Sequence, residues 1–240
     1  MSITTTAKRQ IYNILSGQGY EIQRKKRSSL LMKFDYWQIK RLLYFRGLLD
    51  SVSSVDGDVV ECGVGRGESF YLLSALTSLE LRGRNIWGFD SFEGFPEPSK
   101  EDSSSRNPQK GDWKEFTIKV DDISKMLQEG GIPTDFIEQH VHIVKGFFIK
   151  SLPQFTGNNI ALLHLDVDLY ESYKQTLEYF WPKVSVGGVV LFDEYKQPGI
   201  EVAFPGAAMA IDQFFGERKQ LIQYDLIVRR YYIVKEDGWK

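Results

Sequence analysis

From residue 59 onward, short and almost wholly apolar runs recur along the chain. Each is followed by a longer stretch whose apolar positions repeat every three or four residues. The runs Val59–Cys62, Ile86–Phe89, Val141–Val144, Ile160–Asp166 and Val189–Phe192 have strand length, while Ser69–Leu79, Ile123–Glu129, Phe148–Gln154, Glu171–Val184 and Gly206–Phe215 carry helical spacing. Strands that are apolar on both faces belong inside a sheet covered by helices on both sides. The alternation therefore predicts a doubly wound, mainly parallel sheet. Two last strand candidates, Gln223–Val228 and Arg230–Lys235, are separated only by Arg229. They predict a C-terminal antiparallel hairpin and bring the expected strand count to seven.

Upstream of this pattern, Asp35–Leu49 places Ile39, Leu42, Leu43, Phe45, Leu48 and Leu49 on one helical face, with Asp35 as N-cap. Residues 7–16 read as another short amphipathic helix. The chain is thus expected to divide into an N-terminal helical extension, residues 1–54, and an α/β domain, residues 55–240.

Composition narrows the function classes. A chain of 240 residues can bury one core with a small appendage, and a net charge of −2 recruits neither nucleic acid nor an anionic membrane. The one basic cluster, Arg24–Arg27, reads as a solvated loop. No apolar run approaches the roughly 20 residues that span a bilayer, and the polar first ten residues carry no signal-peptide core. The single cysteine, Cys62, has no internal disulfide partner. These features lead to the expectation of a cytoplasmic protein with no membrane or nucleic-acid partner.

Candidate chemistry starts at Asp58–Ser69, where a strand runs into Glu61 and then Gly63, Gly65 and Gly67 ahead of a helix. Glycines allow a ligand to approach the backbone, and the helix N-terminus offers free N–H groups. The spacing is Gly-x-Gly-x-Gly, unlike the dinucleotide fingerprint Gly-x-Gly-x-x-Gly. Glu61 would repel a pyrophosphate but suits an ammonium group. Asp90, at the end of the next strand, is placed to accept from ribose hydroxyls. A cofactor with a cationic amino-acid part and a nucleoside part fits both acids, which points to S-adenosylmethionine.

A second group is acidic. His164, Asp166 and Asp168 share strand parity at the end of one strand, and Asp193 and Glu194 end another. If the two strands are neighbours, up to four carboxylates converge, and such crowding calls for a cation. All-oxygen ligands with room for water suit Mg²⁺. Asp168 is also placed to cap the helix that starts near Glu171. Two polar loops, residues 93–113 and 195–208, follow strand ends and read as lids, the first alternatively as a disordered insertion.

These segments, in this order, resemble the macrocin O-methyltransferase-like family of S-adenosylmethionine- and Mg²⁺-dependent enzymes. The segments that carry the resemblance are Val60–Ser69, Phe89–Pro96, Lys145–Pro153, His164–Ser172, Gly187–Tyr195 and Pro205–Phe214. The resemblance implies a Rossmann-like class I methyltransferase fold and an enzyme acting on a small-molecule hydroxyl acceptor, a sugar or glycosylated natural product; the alternatives are a catechol or other small-molecule hydroxyl as acceptor, a nicotinamide-dependent oxidoreductase, and a non-catalytic binding protein. It implies that Glu61, Gly63 and Gly65 line the methionine end of the cofactor and that Asp90 and Ser91 reach its ribose. Val64, Gly67, Ser69, Gly146 and Asp166 complete that wall. It further implies Asp166, Asp193 and Glu194 as metal ligands, with Asp166 as general base and His164 or Asp168 in reserve. The family pattern Asp-Asp-Tyr is here Asp193-Glu194-Tyr195. The N-terminal helices are expected to shape the acceptor pocket or a subunit interface in a homo-oligomer.

Overall fold

Asp58–Cys62 (β1) is flanked on both sides by parallel strands, because its side chains are apolar enough to be buried on either face. The computed structural model describes residues 35–196 and 203–239. The expected helix at residues 7–16, the cluster Arg24–Arg27 and part of the 195–208 loop lie outside them. In chain order the elements are Tyr36–Ser51 (α1), β1, Glu68–Leu79 (α2), Ile86–Asp90 (β2), Val120–Glu129 (α3), Thr134–His140 (α4), Val141–Lys145 (β3), Phe148–Ser151 (α5), Ile160–Leu165 (β4), Tyr170–Phe180 (α6), Val184–Phe192 (β5), Pro205–Phe215 (α7), Gln223–Asp225 (β6) and Arg230–Val234 (β7). The seven strands order as β3-β2-β1-β4-β5-β7-β6, parallel through β5 and antiparallel in the last two pairs.

The expected alternation is present, with three differences. The helix read over Glu171–Val184 stops at Phe180, because Pro182 has no N–H to continue it, and Val184 already belongs to β5. The strand read over Gln223–Val228 ends at Asp225, whose Oδ1 accepts from the N–H groups of Ile227 and Val228 at 2.8 and 2.9 Å. That side-chain turn competes with the ladder and leaves Leu226 exposed. Helix α4 was not foreseen.

Asp35 caps α1 as expected, its Oδ1 accepting from Gln38 N at 3.0 Å. The buried face of the helix is rotated from the expected one, however. Gln38, Tyr44, Phe45, Leu48 and Leu49 are buried, while Ile39 and Leu43 face solvent. Two polar contacts select this rotation: Gln38 Nε2 and Arg41 Nη1 both donate to Glu68 Oε2 on α2, at 2.8 and 3.4 Å. The core under the sheet is aromatic. Phe180 packs edge-on to Phe89 and Phe155 at 5.4 and 5.3 Å, each ring contributing roughly 2–3 kcal/mol by burial. Among the described residues no helix is long and apolar enough to cross a membrane.

Candidate functional site

The carboxyl ends of β1, β2, β4 and β5 lie along one edge of the sheet, and the candidate residues gather there. The glycines of the turn serve different ends. A Cβ on Gly63 would sit 1.7 Å from the carbonyl oxygen of Asp166, so this glycine permits contact between two strand ends. At Gly65 a Cβ would meet nothing within 4 Å, and this is the position left open to a ligand. Gly67 lies at the N-cap of α2. Asp90 is pinned to the same turn. Its Oδ2 accepts from Gly65 N at 2.9 Å and its Oδ1 from Phe92 N at 2.7 Å. Burial raises its carboxyl, and the amide hydrogen bonds partly offset that rise. Ser91 lines the same cleft and also ties its own turn. Its hydroxyl donates to Gly94 O at 2.8 Å and accepts from Glu93 N at 3.1 Å.

Behind the turn, Glu61 and His164 are register partners on β1 and β4. Glu61 is fully buried. Its Oε1 lies 2.8 Å from His164 Nδ1, and its Oε2 has no hydrogen-bond partner. A buried orphan acceptor beside an open glycine turn fits a cofactor that brings an ammonium group. The Nε2 of the same imidazole lies 4.0 Å from Asp193 Oδ1. Burial alone would lower the His164 pKa, but the two carboxylates outweigh it and raise it to about 9. The imidazole thus sits between two carboxylates, Glu61 at Nδ1 and Asp193 at Nε2.

The acidic edge forms because the sheet ladder continues one residue past each strand: Asp166 N donates to Cys62 O at 3.0 Å and Asp193 N to Leu165 O at 2.9 Å. This brings one ligand atom each of His164, Asp166 and Asp193 within 4.8 Å of one another. Glu194 is not in that group. It turns back into the protein, and its Oε2 accepts from Tyr173 Oη at 2.6 Å and Asp168 N at 3.2 Å. The expected trio of Asp166, Asp193 and Glu194 is therefore met as a pair, with His164 alongside. Asp168, in a left-handed conformation at φ 58°, does not cap α6. The cap comes from Asp102, whose Oδ1 accepts from Tyr170 N at 2.8 Å.

Electrostatics separate the acids. Burial and the charge of Asp193 raise Asp166 to about 7. Burial and the neighbouring acids likewise raise Asp168 and Glu194. Asp193 moves the other way: burial opposes its charge, but His164 and Arg230 hold it well below the usual carboxylate range. Arg230 grips it with two bonds, Nε to Oδ1 at 2.5 Å and Nη2 to Oδ2 at 2.9 Å. Buried carboxylates whose charges raise Asp166, Asp168 and Glu194 in this way fit a hard divalent cation, while Asp193 is already paired with Arg230.

Gly63, Val64, Gly65, Ser69, Asp90, Ser91 and Gly146 share one cleft of about 670 Å³ with Asp166, Asp168, Asp193 and Glu194, while Glu61 lies buried behind its wall and Gly67 is not part of it. Its roof is the polar loop at residues 93–117, which is folded. Phe95 and the 111–112 turn exchange backbone hydrogen bonds at 3.0 Å, and the Arg106 guanidinium lies over Phe95, Trp113 and Phe204 at 4.9–5.3 Å. Sequence reasoning missed Arg106, Asp102, Tyr173 and Arg230, all of which act across long sequence separations.

This strand order, with an antiparallel β7 beside five parallel strands and a glycine turn after β1, is the Rossmann-like class I methyltransferase fold. The family model described as macrocin O-methyltransferase matches residues 31–227, and the chain belongs to that family. Demethyldecarbamoylnovobiocin O-methyltransferase of Streptomyces niveus is 32% identical over 160 residues, 65% of this chain and 60% of that protein. Mycinamicin III 3''-O-methyltransferase of Micromonospora griseorubida is 26% identical over 172 residues, 69% of this chain and 66% of that protein. The chain thus matches about two thirds or less of the length of either relative. Among solved structures, the O-methyltransferase NovP superposes with a TM-score of 0.66 at 27% identity, covering 82% of this chain and 80% of its own. The calicheamicin methyltransferase CalS11 shares the fold, with a TM-score of 0.70 at 22% identity over 98% of this chain and 94% of its own.

Proposed function

We propose that this chain transfers a methyl group from S-adenosylmethionine to a hydroxyl of a sugar or glycosylated natural product, with Mg²⁺ held at the acidic edge. The observation that carries this reading is the single cleft, in which the open turn at Gly65 and the end of β2 at Asp90 face the same space as Asp166 and Asp193. A further relative, the 8-demethyl-8-(2,3-dimethoxy-alpha-L-rhamnosyl)-tetracenomycin-C 4'-O-methyltransferase of Streptomyces olivaceus, 29% identical over 162 residues, has a rhamnosyl compound in its name and supports the acceptor class.

The chain's own residues divide the work. The buried Oε2 of Glu61 supplies an acceptor for the donor's ammonium group, and Asp90 lies at the strand end where a ribose is bound in nucleotide folds. Asp166 and Asp193 would hold the metal ion, with Glu194 close by. A bound divalent cation lowers the pKa of a coordinated hydroxyl. Asp166, which borders the cleft beside Asp193, would take the hydroxyl proton as the methyl passes from sulfur to oxygen and the sulfur leaves as a neutral thioether. Phe95 and Trp113 line the cleft on the side of the folded loop. Alignment of the two reactants in one cleft supplies most of the remaining rate.

The test is calorimetric titration with S-adenosylmethionine and with NADH, each with and without Mg²⁺. Tritiated methyl transfer to dTDP-rhamnose and to rhamnosyl glycosides then follows. Donor binding and chelator-sensitive transfer are expected. Binding of NADH without S-adenosylmethionine overturns the reading, and full transfer in EDTA removes the metal from it.

A further inference from the structure

Arg230 is the first residue of β7, and the antiparallel register that pairs Tyr231 with Phe192 sets its side chain beside Asp193. The guanidinium engages both oxygens of that carboxylate, and the pair is mostly shielded from solvent. It comes from behind. Asp193 borders both the large cleft and a second cavity of about 130 Å³, and Arg230 borders only the second, next to Trp37 and Tyr44 of α1. The ring of Trp37 lies 5.8 Å from the guanidinium and helps fix its position.

We propose that Arg230 is a built-in counter-cation of the acidic edge that competes with a divalent metal ion for Asp193. The inference rests on the reading of Asp166 and Asp193 as residues that hold a cation. A planar fork bonded to both oxygens takes the lone pairs best placed for a second ligand. A fixed positive charge on the same carboxylate also repels a dication, a penalty of about tenfold in affinity even under near-aqueous screening. The C-terminal hairpin therefore does more than close the sheet, because it sets how tightly the edge holds metal. Asp193 thus has a hydrogen-bonded cationic partner whether or not an ion is present, while Asp166 feels the charges of His164 and Arg41.

Mn²⁺ titration of the full chain, followed by the electron paramagnetic resonance of the free ion, reads this directly. Arg230→Met should bind Mn²⁺ about tenfold more tightly than the unaltered chain, and Arg230→Lys, which keeps the charge, should bind nearly as the unaltered chain does. S-adenosylhomocysteine affinity, measured by calorimetry, should be equal in all three. Should the Met variant lose that affinity, Arg230→Gln repeats the measurement with a donor but no charge. Equal or weaker Mn²⁺ binding by the uncharged variants overturns the proposal and leaves the metal reading standing. Binding by the uncharged variants alone supports the proposal and removes metal dependence from the unaltered chain. No binding by any variant overturns both.

Discussion

Removing the charge of Asp166 should make the fold more stable at pH 8 while abolishing methyl transfer. The carboxyl titrates near 7 in the folded chain against an ordinary value of 3.8, because it is half-buried and faces the charge of Asp193. Its ionised form therefore costs stability. The cost is absent below about pH 4, grows as pH rises toward 7 and is complete above that. A displacement of about three units corresponds to roughly 4 kcal/mol. Asp166 borders a solvent-filled cleft and shares its repulsion with Asp193, so screening and relaxation reduce the recoverable part to roughly 1–2 kcal/mol. For a chain of this size that is about 2–8 °C in Tm. Asp166→Asn and the unaltered chain should be melted by circular dichroism in EDTA at pH 8 and pH 5. The variant should melt higher at pH 8, and its advantage should shrink clearly at pH 5. Millimolar Mg²⁺ should raise the unaltered chain and leave the variant in place. A variant that melts at or below the unaltered chain at pH 8 refutes the reasoning.

Three further outcomes follow from single contacts. Gly63→Ala should destabilise the fold by more than about 3 kcal/mol, since its Cβ would overlap the Asp166 carbonyl oxygen, and an unchanged urea midpoint would contradict the close approach. Tyr173→Phe removes the hydroxyl that donates to buried Glu194, at a cost of about 1–3 kcal/mol by urea unfolding; a smaller loss would show that Glu194 finds another partner. Arg106→Ala should speed chymotrypsin cleavage at Trp113 and Phe116, because the guanidinium joins three rings across two segments, and unchanged cleavage would mean that the roof stands without it.

The sheet was legible in the sequence for a physical reason. Parallel strands buried on both faces are almost wholly apolar, and Ile160–Leu165 is such a run, buried throughout with His164 its one polar residue. The glycine turn was legible too, since few other local structures place three glycines at alternate positions after a strand. What the sequence hid was decided by polar contacts between distant residues. The rotation of α1 depends on Glu68, far along the chain from Gln38, and hydrophobic periodicity cannot weigh that bond against exposing Ile39 and Leu43. Glu194 follows Asp193 directly, yet the two turn opposite ways because Tyr173 takes one and Arg230 the other.

Asp102 has consequences for anyone who would redirect this scaffold to a new acceptor. Its Oδ1 holds Tyr170 N, its Oδ2 holds Ser99, and a Cβ on Gly206 would lie 2.1 Å from Oδ1. Three segments that border the cleft, far apart in the chain, are thus interlocked at one carboxylate. A loop graft at residues 93–117 that drops the acid would leave the first turn of α6 uncapped. One that substitutes a longer acid would collide at Gly206. The recognition surface is therefore exchangeable only as a cassette, with residues 102, 170 and 206 chosen together.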